Sequence, residues 1–332
     1  MESSPARVVR VTALAALSLA AVVVLAPLIG SAPVDYGRAF AGLSPDSEIL
    51  FRARLPRILL SLIAGGALTL AGVLFQALVR DALADPYTLG VSSGASLGAV
   101  LAISFGLQQI GGYPAIGAAA FLGAGATLAL VAAIASSGRR MSSFTLLLAG
   151  VTVNSMSMAI ILFLHNLADV GQSFAILRWL MGGIEVVDYM TLAALAVVVV
   201  GIAGFLFLRA RDWNLLAVGE EWAEARGVHT RRGMLIGFLA GSVLTGAITA
   251  LTGPIGFIGL IIPHALRLQL GADHRLLIPA AFFTGAAFLG ICDTVARTML
   301  SPTEIPVAVI TAMLGGPFFI WLLRSRRRSL WL

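Results

Sequence analysis

The chain contains no lysine: all 22 of its basic residues are arginine. A P-loop needs a lysine to reach the nucleotide phosphates, so a standard ATP site is excluded, and any ATP that drives this chain is held by a partner. Cysteine is almost as scarce. Cys292 stands alone, which rules out an intrachain disulfide and a cysteine-cluster metal site. Charged residues make up only 11% of the chain, against about 25% in soluble domains. The four histidines, His165, His229, His264 and His274, lie in different segments without metal-ligand spacing, so no metal is expected. No Ser/His/Asp arrangement or carboxylate pair reads as catalytic. The net charge of +6 resides in arginines at the ends of apolar runs. That is orientation chemistry in a membrane, and it excludes nucleic acid as the partner.

What is present is apolar. The chain is 59% hydrophobic with a mean hydropathy of +0.97, more than a soluble core absorbs, so lipid is the solvent. A spanning helix needs about 20 predominantly apolar residues. Val11–Ile29 is the first such run. Arg7, Arg10 and Gly30-Ser31-Ala32 give it some likeness to a signal peptide, but it is long for a signal core and reads as a retained helix. Ile58–Val79 is the second. Tyr87–Gly138 carries no charge and is long enough for two spans, split near Gly106–Pro114. Met141–Leu167 is the fifth. The mixed segment Asp169–Asp188 follows, with Phe174–Met181 as an interfacial stretch. Tyr189–Leu208 and Gly233–Leu251 are the sixth and seventh. After Gly253, Pro254 and Gly256, Phe257–Leu266 is too short to cross alone and gives a broken or tilted eighth. Leu276–Arg297 and Ile305–Leu323 complete ten. The expected fold is all-α, a single polytopic membrane domain over residues 1–332. Ala64–Thr69 and Ala240–Thr245 echo each other weakly, as repeated halves of transporters do.

Alternating the spans from an N-terminus in the cytoplasm places sixteen arginines inside and six outside. The excess supports an even helix count with both termini cytoplasmic. The outside six are Arg38, Arg52, Arg54, Arg57, Arg178 and Arg297. Asp293, four residues before Arg297, is placed to orient it. Of the outside six, Arg54, Arg57 and Arg297 act as headgroup anchors or dock an acidic partner through charge pairs.

One charged island interrupts the apolar chain on the cytoplasmic side. Arg209–Arg232 holds five arginines and four acids. It reads as two short helices punctuated by Gly219 and Gly227. Leu215, Val218, Trp222 and Ala225 share one face at helical spacing, with Glu220, Glu221, Glu224 and Arg226 off it. A connecting loop has no need of an apolar stripe with a tryptophan, so the island is expected to touch another protein. A second segment, Arg80–Gly98, begins with Asp81 and Asp85 around an irregular turn before Pro86, a candidate gate. Gly90, Gly94 and Gly98 then repeat every fourth residue on one face, where another backbone can approach closely.

At these residues the chain resembles the permease subunits of ABC importers for iron-siderophore, haem and cobalamin. The shared motifs include RLPR (Arg54–Arg57), LADPYTLGVSSGASLGA (Leu83–Ala99), LLLAG (Leu146–Gly150), WLMGG (Trp179–Gly183) and LLAVGEEWAEARGV (Leu215–Val228). They continue with GPIGFIGLIIPHALR (Gly253–Arg267), DHR (Asp273–Arg275) and LGGPFFIWLL (Leu314–Leu323). The resemblance implies ten transmembrane helices in the bacterial cytoplasmic membrane and a homodimer, or pseudo-dimer, around a central pathway. It implies two cytosolic ATPase subunits that hold ATP and Mg, with no cofactor on this chain. Their contact would be the island, through Asn214, Leu215, Leu216, Gly219, Glu220, Glu221, Ala223, Arg226 and Gly227. A substrate-binding protein would dock outside on Arg54, Arg57 and Arg297. The cytoplasmic gate would use Asp81, Leu83, Asp85, Ser142 and Ser143. Where the family usually has Asn-Pro, this chain has Asp81-Ala82, and an acid there puts two negative charges around the exit of the dimer. The competing class is an ion-coupled secondary transporter, which needs ionisable groups buried at mid-membrane; nearly every charge here lies at a span end.

Overall fold

The computed structural model describes residues 4–135 and 143–326. These residues form helices, with no strand among them. In chain order the helices are α1 (Pro5–Leu25), α2 (Tyr36–Phe40), α3 (Asp46–Glu48), α4 (Leu55–Val79), α5 (Val91–Ser104), α6 (Leu107–Ala135), α7 (Ser143–Leu167) and α8 (Val170–Leu180). They continue with α9 (Tyr189–Leu208), α10 (Ala210–Val218), α11 (Glu220–Ala225), α12 (Thr230–Thr252), α13 (Ile258–Leu270), α14 (His274–Thr298) and α15 (Val307–Arg326). Among the described residues, seven helical stretches are long and apolar enough to cross a membrane. The shorter apolar helices α5, α13 and α15 bring the total to ten.

Backbone breaks fall where glycine and proline announce them. Inside α6 the chain departs from helical geometry at Gly112 (φ 60°, ψ −153°), two residues before Pro114, which separates the third and fourth spans. Gly253 (φ 64°) ends α12 and Phe257 (φ 71°) opens α13. At 1.5 Å per residue, the 13 residues of α13 reach about 20 Å, short of the ~30 Å hydrocarbon core. The segment between the fifth and sixth spans folds as α8. Asp169 caps it, accepting from Gln172 N at 2.8 Å in a capping box.

α4 is the pillar of the bundle, buried on nearly every side. It is uncharged from Ile58 to Val79 and packs against α14, α12, α13, α9 and α10. Small residues let these backbones meet: a Cβ on Gly65 would overlap Gly285 O of α14. On the far side of the bundle α5 and α6 meet as closely. A Cβ on Gly94 would overlap Thr127 Oγ1, and one on Gly98 would overlap Ala119 O. Gly90 caps α5 at φ 83°. α1 lies along α14, with Val22 buried between them. The internal echo has a local counterpart. Thr69 donates to Gly65 O at 2.7 Å and Thr245 to Gly241 O at 2.8 Å. Yet Gly65 faces α14 while Gly241 faces the Phe75 ring, so the two sites differ in packing.

Candidate functional site

The charged island folds as α10 and α11, and the turn between them changes which residues face outward. Gly219 adopts φ 156°, ψ 152°, an arrangement that favours glycine. It separates α10, which carries Leu215 and Val218, from α11, which carries Trp222 and Ala225. Leu215 is half-buried against the core, whereas Val218 and Trp222 are 70% and 62% exposed. The tryptophan that anchors the island is Trp213, 1% exposed, whose Nε1 donates to Leu206 O at 3.0 Å. Asn214 clasps the start of α14. Its Nδ2 donates to Asp273 Oδ1 at 2.9 Å and its Oδ1 accepts from His274 N at 2.8 Å. Glu220 Oε1 receives Arg80 Nη2 at 3.1 Å, and Thr230 Oγ1 donates to Glu224 Oε1 at 2.6 Å. Of the residues expected to contact an ATPase, Leu216, Gly219 and Ala223 are therefore buried, and Asn214 and Glu220 are bound to the bundle. Glu221, Arg226 and Gly227 face outward, joined by Val218 and Trp222. The inward set holds the island against the bundle.

The turn after α4 begins at Arg80, which takes a left-handed conformation (φ 59°). Asp81 and Leu83 are exposed, and Asp81 Oδ1 accepts from Leu83 N at 2.9 Å. Asp85 instead turns inward and is 5% exposed. A Cβ on Gly259 of α13 would lie 3.1 Å from its Oδ1. Thr88 Oγ1 closes the turn, donating to Asp85 O at 2.7 Å and accepting from Asp85 N at 3.1 Å. Burial pushes the Asp85 carboxyl up to about 7. Asp81 thus faces outward on this turn, while Asp85 is buried beneath it. Ser142 lies outside the described residues, and Ser143 is the first residue of α7.

At the opposite end of the bundle, two of the three arginines expected to dock a partner are buried. Arg54 is 6% and Arg297 4% exposed. Arg297 Nη2 donates to Ala26 O at 2.9 Å. Arg54 donates to Pro27 O at 3.1 Å and also to Ala32 O. Ala26 and Pro27 lie in the short 3-10 turn that follows α1, and Ala32 lies further along the connection to α2. Arg54 and Arg297 thus fasten α1 to α4 and α14, and these contacts turn both guanidinium groups inward. Gly30 makes room for this, since a Cβ there would lie 2.5 Å from the Arg54 guanidinium carbon. Arg57 remains partly accessible. Its Nε and Nη2 both donate to Asp293 Oδ1 at 3.1 Å, and its Nη1 meets Glu304 Oε2 at 2.7 Å. Asp293 lies 3.7 Å from Arg297 as well, the expected i,i+4 pair. Glu304 escaped notice in the sequence because it sits in a short connection with no pattern around it.

Arg57 and Glu304 also border a cavity of about 1430 Å³ between α6, α8, α9 and α12. Its walls are mainly apolar, including Ile116, Phe121, Trp179 and Leu195. Its charged lining residues are Arg57, Arg178, Glu185, Asp188 and Glu304. Among the described residues no cluster of His, Cys, Asp or Glu is arranged to hold a metal ion.

Residues 18–325 match the model of the FecCD transport family. The chain is 37% identical over 284 residues to the hemin transport system permease protein of Yersinia pestis, covering 85% of each. It is 44% identical over 301 residues to the cobalamin import system permease protein of Halobacterium salinarum, covering 89% of this chain and 78% of the other. A solved metal-chelate type ABC transporter in an inward-facing conformation superposes with a TM-score of 0.82 at 30% identity, covering 95% of this chain and 98% of that one. With ten apolar helices in this arrangement and a match over nearly its whole length, the chain belongs to the FecCD transport family.

Proposed function

We propose that the chain is the membrane permease of an ATP-driven importer that carries a metal chelate, a ferric siderophore, haem or cobalamin, through a dimer of two such chains. Relatives named for hemin and cobalamin transport support this cargo class. The apolar cavity suits a metal that arrives with its coordination already filled. Both termini and the island lie in the cytoplasm of a bacterial cell. Two ATPase subunits, which hold ATP and Mg, dock on the island, and a substrate-binding protein docks at the opposite end, where Arg57 is the most accessible of Arg54, Arg57 and Arg297. The chelate crosses by alternating access without covalent change, so the chain is a path and not an enzyme.

The observation that carries this reading is an exposed apolar pair on a rigid mount. Val218 and Trp222 face solvent, while Trp213, Asn214 and Glu220 tie their helices to α9, α14 and the turn after α4. A push on α11 is thereby delivered to the helices around the pathway. The test is reconstitution into proteoliposomes with the P-loop ATPase that co-purifies and a binding protein. Uptake of a ferric siderophore, hemin and cobalamin is then measured with and without ATP. ATP-dependent uptake of one chelate is expected. Uptake driven by an ion gradient in the absence of ATP would replace this reading with an ion-coupled transporter.

A further inference from the structure

Arg57 is held in a way that leaves one of its three nitrogens exchangeable. Two of them, Nε and Nη2, grip a single oxygen of Asp293, which is wholly buried. A guanidinium is a planar fork of fixed geometry, so this grip points Nη1 away from the core. There it meets Glu304, whose side chain is 48% exposed. The buried carboxylate is the anchor and the exposed one is the replaceable partner.

Charge at this point is not balanced. Arg54, Arg57 and Arg297 lie in one electrostatic neighbourhood with Asp293 and Glu304. Three arginines against two carboxylates leave one positive charge, which a further carboxylate would neutralise. The other cavity-rim arginine, Arg178, is likewise occupied, by Glu185 at 3.1 Å. This end of the molecule therefore meets an acidic visitor with its rim arginines already engaged by internal acids.

We infer that Glu304 is a built-in competitor for Arg57, filling its Nη1 position until a carboxylate of the docking protein displaces it. The inference rests on the proposed docking of a binding protein at Arg57. Displacement frees Glu304 and loosens the connection between α14 and α15 at the cavity rim, so arrival of the partner is coupled to the rim itself. Removing the competitor should tighten docking, the opposite of what loss of a structural salt bridge produces.

The experiment measures the affinity of the binding protein that supports uptake for the permease–ATPase complex in nanodiscs. It compares wild type, Glu304→Gln, Glu304→Asp and Arg57→Gln across a salt series. An exposed ion pair is worth about 0.2–1 kcal/mol, so Glu304→Gln should bind up to about fivefold more tightly, with Glu304→Asp close to wild type and Arg57→Gln weaker. Both tight and weak variants should converge as salt screens the charges. If Arg57→Gln weakens binding while Glu304→Gln is neutral or weaker, the competitor is disproved and the docking reading stands. If Arg57→Gln changes nothing, Arg57 is not in the docking surface and both fall.

Discussion

Arg80 and Glu220 meet at 3.1 Å and join the two segments that the proposed cycle must move together. Arg80 ends α4 and opens the turn that carries Asp81 and Asp85; Glu220 opens α11. The bridge makes the island and the turn one mechanical unit. In the proposed cycle Glu220 transmits the motion, while its neighbour Glu221 faces outward.

The two glutamates should separate in function. Glu220→Arg places like charges together and should lower ATP-dependent uptake while ATPase affinity stays close to wild type. The double variant Arg80→Glu/Glu220→Arg should recover most of the uptake. Because exposed ion pairs contribute only about 0.2–1 kcal/mol, an affinity change much above fivefold for Glu220→Arg would assign it to the contact itself. Glu221→Arg should act first on affinity. Binding of the ATPase to immobilised permease, measured beside uptake, distinguishes them.

Trp222 should dominate the contact. It is 62% exposed beside Val218, with no core to fill. Interface tryptophans are frequent hot spots, with truncation costing about 2 kcal/mol or more. Trp222→Ala should weaken ATPase binding by roughly thirtyfold at that cost, with thermal stability unchanged. Trp213→Ala should do the reverse, costing about 3–5 kcal/mol of stability as a buried large-to-small change. Loss of stability from Trp222→Ala would place that ring in a core not evident here.

The ten helices were legible because membrane spans announce themselves by length and apolarity, and glycine and proline marked the breaks at Gly112 and Gly253. The two island helices were legible for the same reason. What the sequence hid was facing. Of the stripe through Leu215, Val218, Trp222 and Ala225, Leu215 turns partly into the core while the other three face solvent. Arg54 and Arg297 looked like outward charges because sequence does not show that the carbonyls ending α1 come within reach. Glu304 and the clasp of Asn214 on Asp273 and His274 depend on contacts across many intervening residues, which no local pattern records.

Close packing between α5 and α6 should be intolerant of any side chain. Gly94→Ala and Gly98→Ala put a Cβ into Thr127 Oγ1 and Ala119 O respectively. Overpacking costs about 1–3 kcal/mol, so both variants should melt earlier in detergent. Gly125→Ala and Gly204→Ala, whose added Cβ meets nothing within 4 Å, are the controls. They should melt at or slightly above the wild-type temperature, because alanine is the better helix former. Equal melting of all four would mean that α5 and α6 separate readily.

Asp85 should make stability fall as pH rises. Its carboxyl is raised by burial from the ordinary value of 3.8 to about 7. Between those values the unfolded chain releases this proton and the folded chain retains it. Linkage then makes the unfolded state gain on the folded one with each step upward in pH. The contribution is fully present below the unfolded value and is lost as pH rises through about 7, after which the curve levels. Asp85→Asn keeps the shape, cannot ionise, and should remove this slope. The measurement is the thermal midpoint of wild type and Asp85→Asn in detergent across the same interval. A second readout is uptake in proteoliposomes of fixed internal pH, since a neutral side chain at 85 keeps the turn seated against Gly259 at every pH. If both proteins show the same pH slope, Asp85 is charged throughout, and the turn must be seated by something other than a neutral carboxyl.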